Sequence, residues 1–113
     1  MVKLNLEETS GIAVITALPD VLDAGNTAQF KAELARILEG KKQVVIDMST
    51  VHFMDSAGCG ALITALRHVK DAGGILKLCG AGSQVRRVIE LVRMYKIIDI
   101  FETKKQAIRS FQS

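Results

Sequence analysis

Long apolar runs, cysteine motifs and aromatic residues are all scarce in this chain, and each scarcity removes a class of function. No hydrophobic stretch approaches the ~20 residues that a spanning helix needs, so no membrane insertion is expected. The opening Met1-Val2-Lys3-Leu4-Asn5 has neither the apolar core nor the small-residue cleavage site of a secretory signal, which points to a cytoplasmic protein. Cys59 and Cys79 form no CxxC pair, and with His52 and His68 they match no metal-ligand spacing, so no metal is expected and both cysteines read as buried or half-buried free thiols. Trp is absent, with one Tyr and four Phe. Single-stranded nucleic acid is held by bases stacking on aromatics along a basic groove, and that shortage sets nucleic-acid binding aside. There is no Gly-x-Ser-x-Gly elbow, P-loop or complete dinucleotide fingerprint. No catalytic residue and no cofactor is assigned, and the protein is expected not to be an enzyme.

What is present fits one domain over 1–113. A chain of 113 residues, 49% hydrophobic and 24% charged, can bury a single core without disulfides. The net charge of +3 is unevenly spread. Residues 1–56 carry five Lys or Arg against eight Asp or Glu, and residues 57–113 carry ten against four. Arg67, Lys70, Arg86, Arg87, Arg93 and Lys96 read as solvated helix faces that could also steer an acidic partner.

Strand and helix patterns alternate along the chain. Val2–Glu8 and Ile12–Leu18 alternate apolar and polar residues around Ser10-Gly11, the mark of a hairpin. Pro19 and Asp20 interrupt, Val21-Leu22 touches the core, and Asn26 or Thr27 can cap a helix carrying Phe30, Leu34 and Leu38. Gly40 ends it. Gln43–Met48 reads as a strand buried on both faces, Val51 and Phe53-Met54 as a further apolar touch, and Ser56–Ala72 as a helix with Leu62, Leu66 and Val69 inward. After Gly73-Gly74 come the strand Ile75–Cys79 and the turn Gly80-Ala81-Gly82. A helix capped by Ser83 should follow, with Val85, Val88, Ile89 and Val92 as its apolar face, and then a fourth helix over Thr103–Phe111. Such alternation predicts an α/β fold with helices layered on a sheet.

The junction Val44–Leu62, VVIDMSTVHFMDSAGCGAL, carries the most chemistry. Asp55 and Ser56 are both good caps, so the first turn beyond them presents unpaired amides and a positive field. Gly58 and Gly60 leave that turn bare. They either admit a partner closely or let the helix pack tightly on its own sheet. His52 is the histidine nearer this junction, and His68 reads as a surface residue. An anion could rest at either helix N-terminus, including the one opened by Gly80-Ala81-Gly82-Ser83, which keeps a nucleotide or small-anion sensor in view.

In Val45-Ile46-Asp47-Met48-Ser49, then Phe53-Met54-Asp55-Ser56-Ala57-Gly58 and Leu62, the chain resembles the STAS domains, and among them the stand-alone bacterial anti-sigma factor antagonists. The likeness extends loosely from Leu4 to about Ile108. It implies a STAS-type mixed β-sheet with about four packed α-helices. It also implies a protein partner, an anti-sigma factor that is itself a serine kinase, whose capture frees a sigma factor. The implied docking surface comprises Asp23, Asn26, Asp55, Ser56, Ala57, Gly58 and Cys59. In such proteins the kinase phosphorylates a Ser or Thr that aligns with Ala57, which has no hydroxyl; Ser56 matches the preceding serine. Loss of the switch, transfer of the acceptor role to Ser56, and an engineered block all fit. A cap serine would turn its oxygen toward backbone amides, which places loss first. The runner-up within the same fold is an accessory subunit of a lipid-transport or signalling assembly.

Overall fold

The computed structural model describes residues 2–112; Met1 and Ser113, the outermost positions of the expected 1–113 domain, lie outside the described residues. The elements are β1 (Asn5–Thr9), β2 (Ile12–Thr16), β3 (Val21–Leu22), α1 (Thr27–Leu38), β4 (Gln43–Asp47), β5 (Phe53–Met54), α2 (Ser56–Asp71), β6 (Ile75–Cys79), α3 (Ser83–Leu91), a 3-10 turn (Met94–Lys96), β7 (Ile100–Phe101) and α4 (Lys104–Gln112). Five strands form a mixed sheet in the order β1-β2-β4-β6-β7, antiparallel only between β1 and β2, while β3 and β5 form a separate two-stranded parallel ribbon. This is the expected mixed α/β architecture with four helices.

Local chemistry explains the boundaries. Ser10 and Gly11 both take positive φ, 52° and 79°, the backbone of a two-residue hairpin whose twist matches its strands. The paired strand β1 starts at Asn5, later than the alternation suggests, and a left-handed Ala17 (φ 61°) ends β2 before Leu18. Gly82 occupies the N-cap of α3 and Ser83 is its first residue, so Ser83 does not cap; Val92 lies past the helix and is 43% exposed, outside the apolar face. Thr103 and Gln106 form a reciprocal capping box at α4: the Gln106 amide donates to Thr103 Oγ1 at 3.1 Å, and Gln106 Oε1 accepts from the Thr103 amide at 3.2 Å. The two-residue β7 carries no strand pattern of its own, and the sequence reading passed over it.

Alternation fails in β2 because both faces of the sheet are covered. Ala13, Ile15, Val44, Ile46, Leu76 and Leu78 join the main core with the apolar sides of α1, α2 and α3. Ile12, Val14, Val45 and Cys79 form a smaller second core with Ala107 of α4. Lys77 stands on this second face, only 8% exposed. Its Nζ donates to Ser110 Oγ at 2.8 Å and lies 4.2 Å from the Phe111 ring centre and 5.6 Å from that of Phe101. The ammonium thus exchanges water for a hydroxyl and two π faces, which fasten α4 to the sheet.

The start of α2 is fixed by a close approach. A Cβ on Gly58 would fall 2.5 Å from Met54 Cγ and 2.7 Å from the Leu22 carbonyl oxygen, so glycine lets the helix seat on the β3–β5 ribbon. Gly60 has open space at the same distance. Of the two readings of these glycines, packing belongs to Gly58 and bareness to Gly60. Gly58→Ala should therefore lower unfolding free energy by about 2 kcal/mol through overpacking. Gly60→Ala should raise it by about 0.5–1 kcal/mol, the ordinary helix gain. Urea denaturation of the two variants checks the pair.

Both cysteines are free and buried. Burial, with the Asp47 carboxylate adding to it, pushes the Cys79 thiol up to about 12, and burial together with Asp55 raises Cys59. Thiolate is the reactive form, and it becomes plentiful only above the raised values. Native protein at pH 8 should resist a disulfide-exchange reagent at both positions and react with two equivalents once unfolded in urea.

Candidate functional site

Two loops are brought together by the small ribbon. Val21 pairs with Phe53 and Leu22 with Met54. The Asp20 carbonyl accepts from the amides of His52 (2.7 Å) and Phe53 (3.1 Å), and the Leu22 carbonyl accepts from the Asp55 amide at 3.2 Å. From α3, the Gln84 side chain brackets Met54: its Oε1 accepts from the Met54 amide at 2.8 Å and its Nε2 donates to the Met54 carbonyl at 3.0 Å. Residues 20–26 and 52–57 thereby share one rim, supported from below by the first turns of α2 and α3.

Within the first loop, Asp23 and Asn26 hold the turn. The Asp23 carboxylate accepts from the Gly25 amide at 2.8 Å, and the Asp23 carbonyl accepts from the amides of Asn26 and Thr27. Asn26 occupies the N-cap of α1 but makes no capping bond. Its Oδ1 accepts from the Asp23 amide at 3.1 Å and its Nδ2 donates to the Val21 carbonyl at 2.7 Å. Both ends of that amide are engaged inside the turn, so Asn26 shapes the rim rather than offering it a free group. Asp23 is half-buried.

At the second loop the cap is Asp55 alone. Its Oδ1 accepts from the amides of Ala57 (2.9 Å) and Gly58 (3.1 Å), satisfying two of the helix's orphan donors with a negative charge where the helix field favours one. Ser56 is the first helical residue, not a cap, and it is exposed. Its hydroxyl takes part in none of the hydrogen bonds among the described residues, so the expectation that it would face backbone amides is corrected. Ala57 is half-buried. Gly58 and Cys59 are buried, because at 100° per residue they fall on the same side as Leu62 and face the core. These two lie beneath the expected docking surface and do not form part of it.

Phe53 supplies what the sequence reading missed. It is 46% exposed on the same rim as Ser56, whereas its neighbour Met54 is fully buried. Alternation along a strand offered the signal: with Met54 inward, Phe53 must point out. His52 and His68 are both exposed.

The arrangement suits contact better than chemistry. Among the described residues no group of three or more His, Cys, Asp or Glu could hold a metal ion. Two first-turn amides of α2, those of Ala57 and Gly58, already bind the Asp55 carboxylate, which would repel an incoming anion. At α3, the approach past Gly80 meets the Asp47 carboxylate, 2.7 Å from where a Cβ would sit, and Arg86 Nε turns back to the Ala81 carbonyl at 3.1 Å. A carboxylate beside the turn and a guanidinium folded onto it do not favour an anion there.

Known proteins share this design. The protein BtrV of Bordetella bronchiseptica is 27% identical over 112 residues, covering 98% of this chain and 96% of its own. The anti-sigma-B factor antagonist of Bacillus subtilis is 28% identical over 79 residues, covering 70% of this chain and 72% of that protein. The structure of an anti-sigma-factor antagonist (STAS) domain protein from Planctomyces limnophilus superposes with a TM-score of 0.87 at 19% identity, covering 97% of this chain and 98% of that one. The family model described as the STAS domain matches residues 3–107, a span that contains the whole sheet, the ribbon and the rim, and the chain belongs to the STAS domain family.

Proposed function

We propose that this protein is an anti-sigma factor antagonist. It docks an anti-sigma factor bearing serine kinase activity on the rim formed by Asp23, Phe53, Asp55, Ser56 and Ala57, and so frees a sigma factor. Ser56 is the hydroxyl this partner phosphorylates. The observation that carries the reading is the exposed Ser56–Phe53 pair on a hydrogen-bonded rim, in a STAS chain whose relatives are named for that activity.

The energetics of a switch at Ser56 follow from its neighbours. Asp55 already occupies the Ala57 and Gly58 amides, so a phosphoryl group on Ser56 would compete with a carboxylate for the donors of the first turn. It would add about −1.5 to −2 charges beside an existing carboxylate. Packed against a partner, that charge would be desolvated and repelled, and the complex would open. Phe53 acts differently, as a large exposed ring on the same rim that a partner pocket can bury.

Affinity capture from the source cell with ATP or ADP, followed by mass spectrometry, should recover an ATP-binding anti-sigma factor. Recovery of only a transporter ATPase or a scaffold would replace the reading with that of an accessory subunit. Incubated with the recovered kinase and ATP, the protein should gain one phosphate, absent in Ser56→Ala. Phosphate persisting in that variant would remove Ser56 from the role. Phe53→Ala should fold normally and weaken binding tenfold or more, since truncating a buried aromatic anchor typically costs about 2 kcal/mol or above.

A further inference from the structure

Exposed apolar residues concentrate at the end of the molecule opposite the rim. Ile75, Leu91, Val92, Tyr95 and Ile97 account for five of the seven large hydrophobics exposed among the described residues, with exposures from 43% to 77%. Singly exposed apolar residues are ordinary, but a cluster marks a contact surface. Ile75, Tyr95 and Ile97 line one groove of about 280 Å³, between the last turns of α2 and the segment after the 3-10 turn. Tyr95 also lines a second groove of about 290 Å³ on its other side, against β7 and α3. Tyr95 is therefore a ridge between two troughs.

The charges in the two troughs are opposite. The first holds Lys70, Lys96 and Asp99, a net of +1; the second holds Arg86, Glu90 and Glu102, a net of −1. A purely acidic partner or an anionic surface would match the first trough but meet the carboxylates of Glu90 and Glu102 in the second. A second copy of this chain fits both. A twofold axis through the Tyr95 ridge lays the lysine trough of each protomer on the glutamate trough of the other, and an isologous contact requires that self-complementarity. We infer that this surface is the interface of a symmetric homodimer, with Tyr95 near the axis and Lys96 of each protomer facing Glu90 of its partner.

The consequence concerns geometry. The helix α2 runs from Ser56 at the rim to Asp71 at this pole, 16 residues, or roughly 24 Å at 1.5 Å per residue. Dimerisation centred on Tyr95 leaves Asp23, Phe53, Asp55, Ser56 and Ala57 outside the contact, since none of them lines either trough. The inference stands independently of the partner proposed for the rim.

Sedimentation velocity of the full chain over a range of concentrations should show a reversible dimer. Ile97→Glu, at an exposed position, should raise its dissociation constant at least tenfold while leaving the thermal melting profile in place. Lys96→Glu and Glu90→Lys should each weaken self-association, because like charges then face across the axis. Mixing those two variants should restore the dimer, since the heterodimer alone pairs opposite charges at both contacts. A wild-type protein that stays monomeric overturns the inference and leaves the patch to a different occupant. A dimer indifferent to Ile97→Glu, or variants that fail to rescue each other, overturns it by placing the interface elsewhere.

Discussion

The seat of α2 on the β3–β5 ribbon is the constraint on which the functional surface depends. Gly58 lets the helix approach the Leu22 carbonyl and the Met54 side chain to distances that a methyl group would forbid. The ribbon has only two residues in each strand, too few to persist alone. It is held by the Asp55 amide on Leu22, the Gln84 bracket on Met54, and two amides on the Asp20 carbonyl. The first two tie the ribbon to the starts of α2 and α3 and the last joins the two loops, so the rim inherits the rigidity of both helices. A docking surface built this way loses little conformational entropy on binding, which is the chief benefit of preorganisation.

The sheet imposes a second condition. A strand buried on both faces needs cover on both, and here α1, α2 and α3 cover one face while α4 alone covers the other. A nine-residue helix brings few apolar side chains, and Ala107 is its one buried residue. Lys77 makes up part of the deficit by drawing Phe101, Ser110 and Phe111 over the second core. A lysine there is compatible with burial because its long stem packs as hydrocarbon while its head finds π faces and a hydroxyl.

How much of this could be read beforehand varied with the range of the interaction involved. The buried β4, the hairpin at Ser10-Gly11 and the helix starting near Ser56 depend on local pattern and were legible. Four features were not. Asn26 has the composition of a cap, but the competing acceptors and donors in its own turn take both ends of its amide, and composition does not reveal which local bond wins. Ser56 and Asp55 are both cap residues by type, and only the backbone decides which one occupies the N-cap. Gly58 and Cys59 enter the docking surface through the family resemblance, although Cys59 also reads as a buried or half-buried thiol and Gly58 as a possible packing glycine, and the helical period turns both inward within one turn. The small ribbon was the most opaque element, since its pairing joins residues some thirty positions apart and neither strand is long enough to show a period.

The distribution of charge gives the two ends of α2 different characters. The rim loops, residues 20–26 and 52–57, carry Asp20, Asp23 and Asp55 and no Lys or Arg, whereas Lys42, Lys70 and Lys96 stand at the opposite pole. On the proposed docking, these carboxylates would select a partner for positive charge before contact, and contact would then depend on the exposed ring of Phe53. A phosphate on Ser56 would increase the long-range attraction of such a partner while making the final desolvated contact worse. Steering and docking would be driven in opposite directions by one modification. The balance falls to docking because a charge desolvated beside the Asp55 carboxylate costs several kcal/mol, while attraction across solvent is screened within a Debye length of about 8 Å. The Asp55 cap takes two of the amides that would otherwise receive the charge, and so, under the proposed function, the carboxylate that fixes the start of α2 also favours release on modification next to it.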